Sequence, residues 1–406
     1  MGALSANAKV AAALPGLESQ CLAAQELIQA GSLEAGFEAI QRLLAAIQSL
    51  ELPNDAGLRE LEFRVRLLSI SGLIQWDRFD EVLRECTKML DLVSLDQPSS
   101  QRALLMSQLA FAHTQFGMPE QALRAAQVAI QDSLLLKDRL LASQALERAA
   151  TTYFFMGDGT SAERFMFEAL GYMDQHSPVH ERLRRFSNAV HLSCSLHDMY
   201  QEAGQAPMAL AILHKVDSFA DEADSLVPAL AGEYITYMWR ANLARWHRRC
   251  GRLQLARGAF LAALSKAESA GWHAVRRPVL LELALMAETQ GDTPAALDLL
   301  VRVFEPGEIR VRDVVAMPTY QALERLYKAS SQEDLAKMAA QGMAARQTRR
   351  DQAAQAVQAD LPQLSARIVA ALAEADRARL DEVIRSLREQ RRQSRGGNSA
   401  DSGWAL

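Results

Sequence analysis

A short turn that recurs eight times along the chain is the feature that most constrains its fold. At each occurrence a helix-compatible run ends at a turn residue, and a second apolar run begins within two to five residues. The turns lie 39 to 47 residues apart, and a unit of this length cannot bury a core alone. The spacing therefore predicts units that stack on their neighbours. The turn residues are Gly31, Asp77, Gly117, Gly157, Gly204, Gly251, Gly291 and Ser330.

Small residues recur at fixed distances from these turns. Glycine or alanine stands five residues after six of the turns, with Val82 and Leu335 as exceptions, and alanine stands seven residues before five turns and twelve after three. Small side chains at such offsets allow two antiparallel helices to approach closely, which predicts a helix-turn-helix in each unit. These residues are Gly36, Ala122, Ala162, Ala209, Ala256 and Ala296; Ala24, Ala110, Ala150, Ala244 and Ala284; and Ala129, Ala169 and Ala263.

The glycine turn and the small residues resemble the tetratricopeptide repeat family. Aromatic or histidine residues four before the turn add to the likeness, at His113, Tyr153, Tyr200 and His247. The resemblance covers about residues 17–345 and implies a right-handed α-solenoid with a concave, partner-binding face. The family's usual period is about 34 residues, and longer units such as these resemble arrays of bacterial signalling and regulatory proteins. HEAT and armadillo repeats share the longer period but fit the glycine and alanine pattern less well.

The sequence thus predicts an all-α fold, with about eight tetratricopeptide-like helix-turn-helix repeats over residues 17–345. Residues 346–393 are predicted to form a C-terminal amphipathic helix, and residues 394–406 a disordered tail. A cap on the last unit is the favoured role of that helix, because stacked repeats need sealed ends. A docking helix or a homodimer contact is the alternative. Its apolar residues are Leu364, Ile368, Leu372, Leu380, Ile384 and Leu387.

Composition narrows the classes of function. The chain has 44 basic and 49 acidic residues, which argues against general electrostatic binding to nucleic acid or to an anionic membrane. Its four cysteines form no CxxC pair, as expected of reduced thiols in a cytoplasmic protein. No phosphate-cradling loop, HExxH or GxSxG motif is present. We therefore expect no enzyme activity and no cofactor.

One cluster of reactive side chains remains, on the stretch that contains His191, Cys194, His197 and Asp198. Such groups can make a nucleophile or bind a metal ion. His197, however, occupies the small-residue position seven before Gly204, which directs it into the helix pair. A packed histidine is the favoured interpretation, and we predict no catalytic or metal site.

The first helix of each unit lines the concave surface in the family, so its unpacked positions are the candidate contacts. In the unit before Gly251 they include a basic group, which suits a carboxylate or phosphate on a partner. A solvated helical face is an equally good interpretation of that group. The predicted partner-binding residues are Arg245, Arg248, Arg249, Asn242, His191, Asp198, Glu202 and Phe154.

From these features we expect a cytoplasmic bacterial adaptor or scaffold that binds a protein or peptide segment, one with an acidic stretch, in a shallow open trough. The alternative is a sensory regulator that responds to a peptide or nucleotide and whose output module is separate or lost. The partner itself is not encoded in any motif.

Overall fold

A computed structural model describes residues 6–50, 55–305, 311–357, 362–363, 366–375 and 377–378. Within these ranges the chain forms sixteen α-helices and no strand. They pair into eight units, each with a first and a second helix. The first helices are α1 (Ala6–Ala30), α3 (Ala56–Gln75), α5 (Ser100–Gln115), α7 (Arg139–Phe155), α9 (Val179–Glu202), α11 (Tyr234–Arg249), α13 (His273–Thr289) and α15 (Asp313–Ala329). The second helices are α2 (Leu33–Gln48), α4 (Phe79–Met89), α6 (Pro119–Leu135), α8 (Gly159–Gly171), α10 (Ala206–Leu226), α12 (Leu253–Ala270), α14 (Thr293–Val303) and α16 (Glu333–Val357). The prediction of an all-α solenoid with eight repeats is confirmed.

The turns inside the units end each first helix as the sequence predicts. At Gly117 the backbone has a φ of 65°, and the next amide, that of Met118, donates back to the His113 carbonyl at 2.9 Å. This left-handed turn satisfies carbonyls at the end of α5 that lack a partner within the helix. The same φ sign and hydrogen bond recur at the other predicted glycine turns.

The last turn lies one residue later than predicted. Ser331, and not Ser330, has the positive φ, and the Gln332 amide donates to the Tyr327 carbonyl. The position five residues after the turn is therefore Ala336, which is buried, and not the exposed Leu335. The corrected register removes one exception from the small-residue pattern.

The small residues lie where the two helices of a unit meet. All fourteen predicted positions are buried, as is Val82, which replaces the small residue in the second unit. Helix α2 shows how the rest of the pattern works: Leu33, Ile40, Leu43 and Ile47 lie on one buried face at helical spacing. Burying each such side chain contributes about 1.5–3 kcal/mol.

Two apolar cores hold the array together. The first runs from α3 to α11, and the second joins helices α1 to α3 with helices α11 to α16. Neighbouring first helices contact each other from α1 to α3 and from α5 to α15, and α4 joins α3 to α5. Because the second core includes both the beginning of the chain and its last units, the array curls until its first units meet the seventh.

Two contacts lock this closure. The fully buried Trp272 ring, just before α13, lies against Gly31, where a Cβ atom would overlap it. Asp77 occupies the turn of the second unit with a φ of 64°, and its carboxylate pairs with Arg277 and with Arg312, the latter at 2.9 Å. A tryptophan and a buried ion cluster therefore fasten the two sides of the predicted trough together, a closure that the sequence did not predict.

The C-terminal part continues from the last unit. Helix α16 runs without a break past residue 345, where the sequence placed a boundary. Of the predicted 346–393 helix, residues 366–375 are helical, and Ile368 and Leu372 are buried in the first core. The predicted 394–406 tail lies outside the described residues. No helix in the described ranges has the length and apolar character needed to cross a membrane.

Candidate functional site

The closed array surrounds an internal cavity, which we call the lumen. Its volume is about 360 Å³, and nearly all of its wall comes from the first helices of the units. Apolar side chains such as Phe111, Phe154 and Met238 alternate there with polar ones. A preformed space of this size, with apolar side chains and polar groups that converge on it, is typical of ligand sites.

A second cavity of about 790 Å³ forms a mouth to the lumen. Its wall consists of the turn from α3 to α4, the ends of α5 and α7, residues 311–313, and the second half of α16. Gln115, Phe155 and Arg312 line both cavities, so the mouth and the lumen are neighbouring parts of one space.

The lumen wall carries a buried ionic group around Glu147. Its carboxylate accepts hydrogen bonds from Arg148, Arg185 and Asn188 at 2.8 to 2.9 Å. Burial alone would raise the pKa of Glu147, but the guanidinium groups of Arg185 and Arg148 outweigh it and lower the pKa. Arg148 also stacks over the Phe111 ring, 4.2 Å from its centroid, which fixes the position of a charged group at the cavity wall.

The basic residues predicted on α11 are already paired within the chain. Glu282 on α13 lies among them, with its carboxylate 2.8 Å from Arg245, 2.5 Å from Arg248 and 3.2 Å from Arg249. Arg249 also pairs with Asp198 on α9. The sequence left two interpretations open for these arginines, a solvated helical face or an anion-binding site. Neither describes them, because Glu282 of the neighbouring unit supplies their counter-charge.

His191 contacts this group and lines the lumen. Its Nδ1 accepts a hydrogen bond from the Arg245 guanidinium. Burial, with the positive charges of Arg245 and Arg312, lowers the pKa of His191 well below its ordinary value. The imidazole is therefore neutral at physiological pH and acts as an acceptor.

The predicted site residues divide into two sets. Phe154, His191, Asn242 and Arg245 lie at the lumen wall, which brings four of the eight together. The other four, Arg248, Arg249, Asp198 and Glu202, line neither cavity, and Glu202 is exposed at the end of α9. In the described ranges no group of three or more histidine, cysteine or acidic side chains is placed to hold a metal ion.

Sequence reasoning missed a set of side-chain amides in the lumen. Gln29, Gln75 and Gln115 each stand two residues before the turn of their unit, and all three line the cavity. This shared offset was a readable signal. Gln75 donates to the Ile28 carbonyl at 3.4 Å, but its Oε1 and that of Gln115 are buried with no hydrogen-bond partner among the described residues. The other amides of the wall are Gln25, Asn188 and Asn242.

No protein-family model and no curated protein sequence matches the chain. Among solved structures it is similar to a Rap protein complexed with competence and sporulation factor, at 12% identity and a TM-score of 0.48, over 84% of this chain and 99% of that one. It is also similar to the apo form of the quorum sensor NprR from B. thuringiensis, at 13% identity and a TM-score of 0.40, over 88% and 99%. A third is aspartyl phosphate phosphatase F from Bacillus subtilis, at 14% identity and a TM-score of 0.36, over 90% and 96%.

Proposed function

We propose that this protein is a cytoplasmic peptide-binding adaptor of bacterial signalling, without enzyme activity, and that an extended peptide segment binds in its lumen. The observation that carries the proposal is the set of amides along a wall that otherwise consists of apolar and charged side chains. Each amide offers a donor and an acceptor, as peptide backbone requires. Gln75 and Gln115 each have a buried acceptor oxygen without a donor among the residues that the structure describes, and the N–H groups of a peptide could donate to these oxygens.

The charges around the cavities favour a peptide with an acidic segment. The arginines of the wall share their carboxylates: Arg312 shares Asp77 with Arg277, and Arg148 shares Glu147 with Arg185. Arg349, exposed at the mouth, has no ion-pair partner in the described part of the chain. An acidic residue of the ligand would complete this charge balance, and it would enter at the mouth, where the guanidinium is accessible.

Binding from a pool of random seven-residue peptides, with mass spectrometry of the retained members, tests the proposal. We expect the protein to retain a subset enriched in Asp and Glu. Thr151→Trp fills the lumen from α7 and should abolish retention, whereas Leu255→Trp on the exposed face of α12 should leave it unchanged. Equal retention by the two variants would place binding outside the lumen.

One contact favours a sensory regulator as the second candidate function. Arg312 lines both cavities and also pairs with Asp77 in the closure of the array. A ligand that contacts Arg312 would therefore act on closure as well, which couples binding to the curvature of the array. Small-angle scattering with and without a retained peptide separates the candidates, because only the regulator predicts a change in the radius of gyration.

A further inference from the structure

Helix α16 has two halves that are held differently. The first half packs on α15 in the usual way: Ala336 and Ala339 are buried, and Gly342 lies so close to the Tyr320 ring that a Cβ atom would meet it at 2.8 Å. Beyond Ala339 none of the described side chains of α16 is fully buried. The described side chains of the second half therefore contribute nothing to the two apolar cores that hold the other helices.

Polar contacts hold the second half across the mouth. Arg346 donates to the Val311 carbonyl at 2.9 Å and pairs with Asp313. Arg350 reaches a distant unit, where its Nε donates to the Phe155 carbonyl at 2.7 Å and its Nη2 to the Phe154 carbonyl at 3.3 Å. Helix α16 also contacts α6 there. The last helix of the array is thus fastened to the third and fourth units.

The Arg350 contact is suited to reversible closure. Its acceptors are two carbonyls at the end of α7, where the helix dipole favours a cation, and the carbonyl of Phe154 also accepts from the Gly157 amide at 2.9 Å. No carboxylate pairs with the guanidinium within the described ranges, and burial lowers the pKa of Arg350. When the contact forms, the Arg350 guanidinium exchanges its hydration for two hydrogen bonds to neutral acceptors. The net free energy by which it holds the second half of α16 is therefore small.

We propose that the second half of α16, which we call the latch, controls access to the lumen. The hydrogen bonds of Arg350 to the end of α7 hold the latch closed. The latch lies over the mouth, whose wall is continuous with the lumen through Gln115 and Phe155. Release of Arg350 removes this donor from the carbonyls of Phe154 and Phe155, and the side chains of both residues line the lumen. A ligand that moves this end of α7 would also release the latch. The biological role of the latch rests on the proposed function, but its opening does not.

The latch can be tested without a ligand, through the reactivity of a cysteine in the lumen. Cys250 is the exposed cysteine of the described residues and is replaced by Ser, and Thr151→Cys then places a thiol on the lumen wall. The measurement is the rate of labelling by N-ethylmaleimide at pH 7, relative to the same protein in urea. Arg350→Ala removes the contact that holds the latch, and Arg84→Ala is the control, since Arg84 lines the same mouth and pairs with Asp80 and Glu81 on its own helix.

We expect Arg350→Ala to raise the labelling rate about 5-fold or more, as the loss of hydrogen bonds from a charged donor shifts the open fraction by that factor. Arg84→Ala should leave the rate unchanged. Amide hydrogen exchange over residues 343–352 should rise in the same variant, while residues 333–340 keep their protection. Equal rates in the two variants, or a lumen thiol that already reacts as fast as native Cys250, would overturn the latch. Peptide binding outside the lumen would contradict the proposed function and leave this result untouched.

Discussion

Two helices carry the same arginine pattern and use it differently. Helix α11 ends in Ala-Arg-Trp-His-Arg-Arg, with Arg245, Arg248 and Arg249, and α16 contains Ala-Arg-Gln-Thr-Arg-Arg at residues 345–350. On α11 all three guanidinium groups pair with the buried Glu282. On α16 one pairs with Asp313, one binds carbonyls and one has no partner in the described part. The local pattern places three arginines on one face, but the facing unit decides whether they stabilise the fold or remain available.

The strongest test of this difference removes the carboxylate that the α11 arginines share. Glu282→Gln leaves three guanidinium groups at a buried site without their counter-charge, so we expect the free energy of unfolding to fall by about 3 kcal/mol or more. Urea unfolding measures the loss. Asp80→Asn at the mouth is the control, because both Asp80 and its partner Arg84 are exposed, and it should cost less than about 1 kcal/mol. Equal losses would erase the distinction between the two arginine groups.

The stability that Glu282 contributes through its ion pairs should depend on pH in the acid range. Burial alone would raise the pKa of Glu282, but Arg249, Arg248 and Arg245 hold it at about 2. The pKa in the unfolded chain is higher, near about 4.3, so the group contributes its full stability above that value and loses it as the pH falls towards 2. We expect the unfolding free energy of the wild type to drop through this range more steeply than that of Glu282→Gln. Parallel curves would contradict the assignment.

Asp77 should have an effect on stability between those of Glu282 and Arg349. It pairs with Arg277 and Arg312, but it does so from a strained turn. Asp77→Gly relieves a left-handed backbone that costs about 1 kcal/mol, but it leaves the fully buried Arg277 without its carboxylate. The net loss should be about 2 kcal/mol or more, with a larger radius of gyration as the array opens. Gly204→Asp makes the reverse exchange at an exposed left-handed turn that lines neither cavity, and it should also destabilise, by about 1 kcal/mol. A stabilised Asp77→Gly protein would show that the closure is not held there.

Arg349 should give the smallest effect on stability and a clear effect on binding. Arg349→Ala removes an exposed side chain with no ion-pair partner in the described part, so the unfolding free energy should change by less than about 0.5 kcal/mol. Its affinity for a retained acidic peptide should fall, and the salt dependence of that affinity should flatten. Titrations at two salt concentrations compare it with the wild type. A loss of stability without a change in affinity would show that Arg349 stabilises the fold, as the α11 arginines do, and does not bind the peptide.

The parts of the fold that were predicted are those set by neighbouring residues. A glycine turn and an alanine seven before it act within one unit, which is why they could be read in the sequence, and even the error at Ser330 was a single residue. The contact of Gly31 with Trp272 and the pairing of Asp77 with Arg277 join residues 200 or more positions apart, and no local pattern encodes them. The closure of the trough was not predicted for that reason.

In the candidate site, too, the features set by neighbouring residues were predicted and those set by distant residues were not. Phe154, His191 and Asn242 were placed on the concave wall by helical periodicity, which is local. Arg248 and Arg249 were assigned to a partner because the Glu282 that pairs with them belongs to the next unit. The glutamines two before the turn were missed, although their common offset is visible in three units. Comparing offsets among units, and not charge alone, would have found them.

Photo-crosslinking from inside the lumen tests the central claim most directly. With p-benzoylphenylalanine in place of Phe154, irradiation in the presence of a retained acidic peptide should join the peptide to the protein, and excess unlabelled peptide should suppress the product. The same group in place of Leu255, exposed on α12, should give none. A crosslink at position 255 without one at position 154 would contradict binding in the lumen.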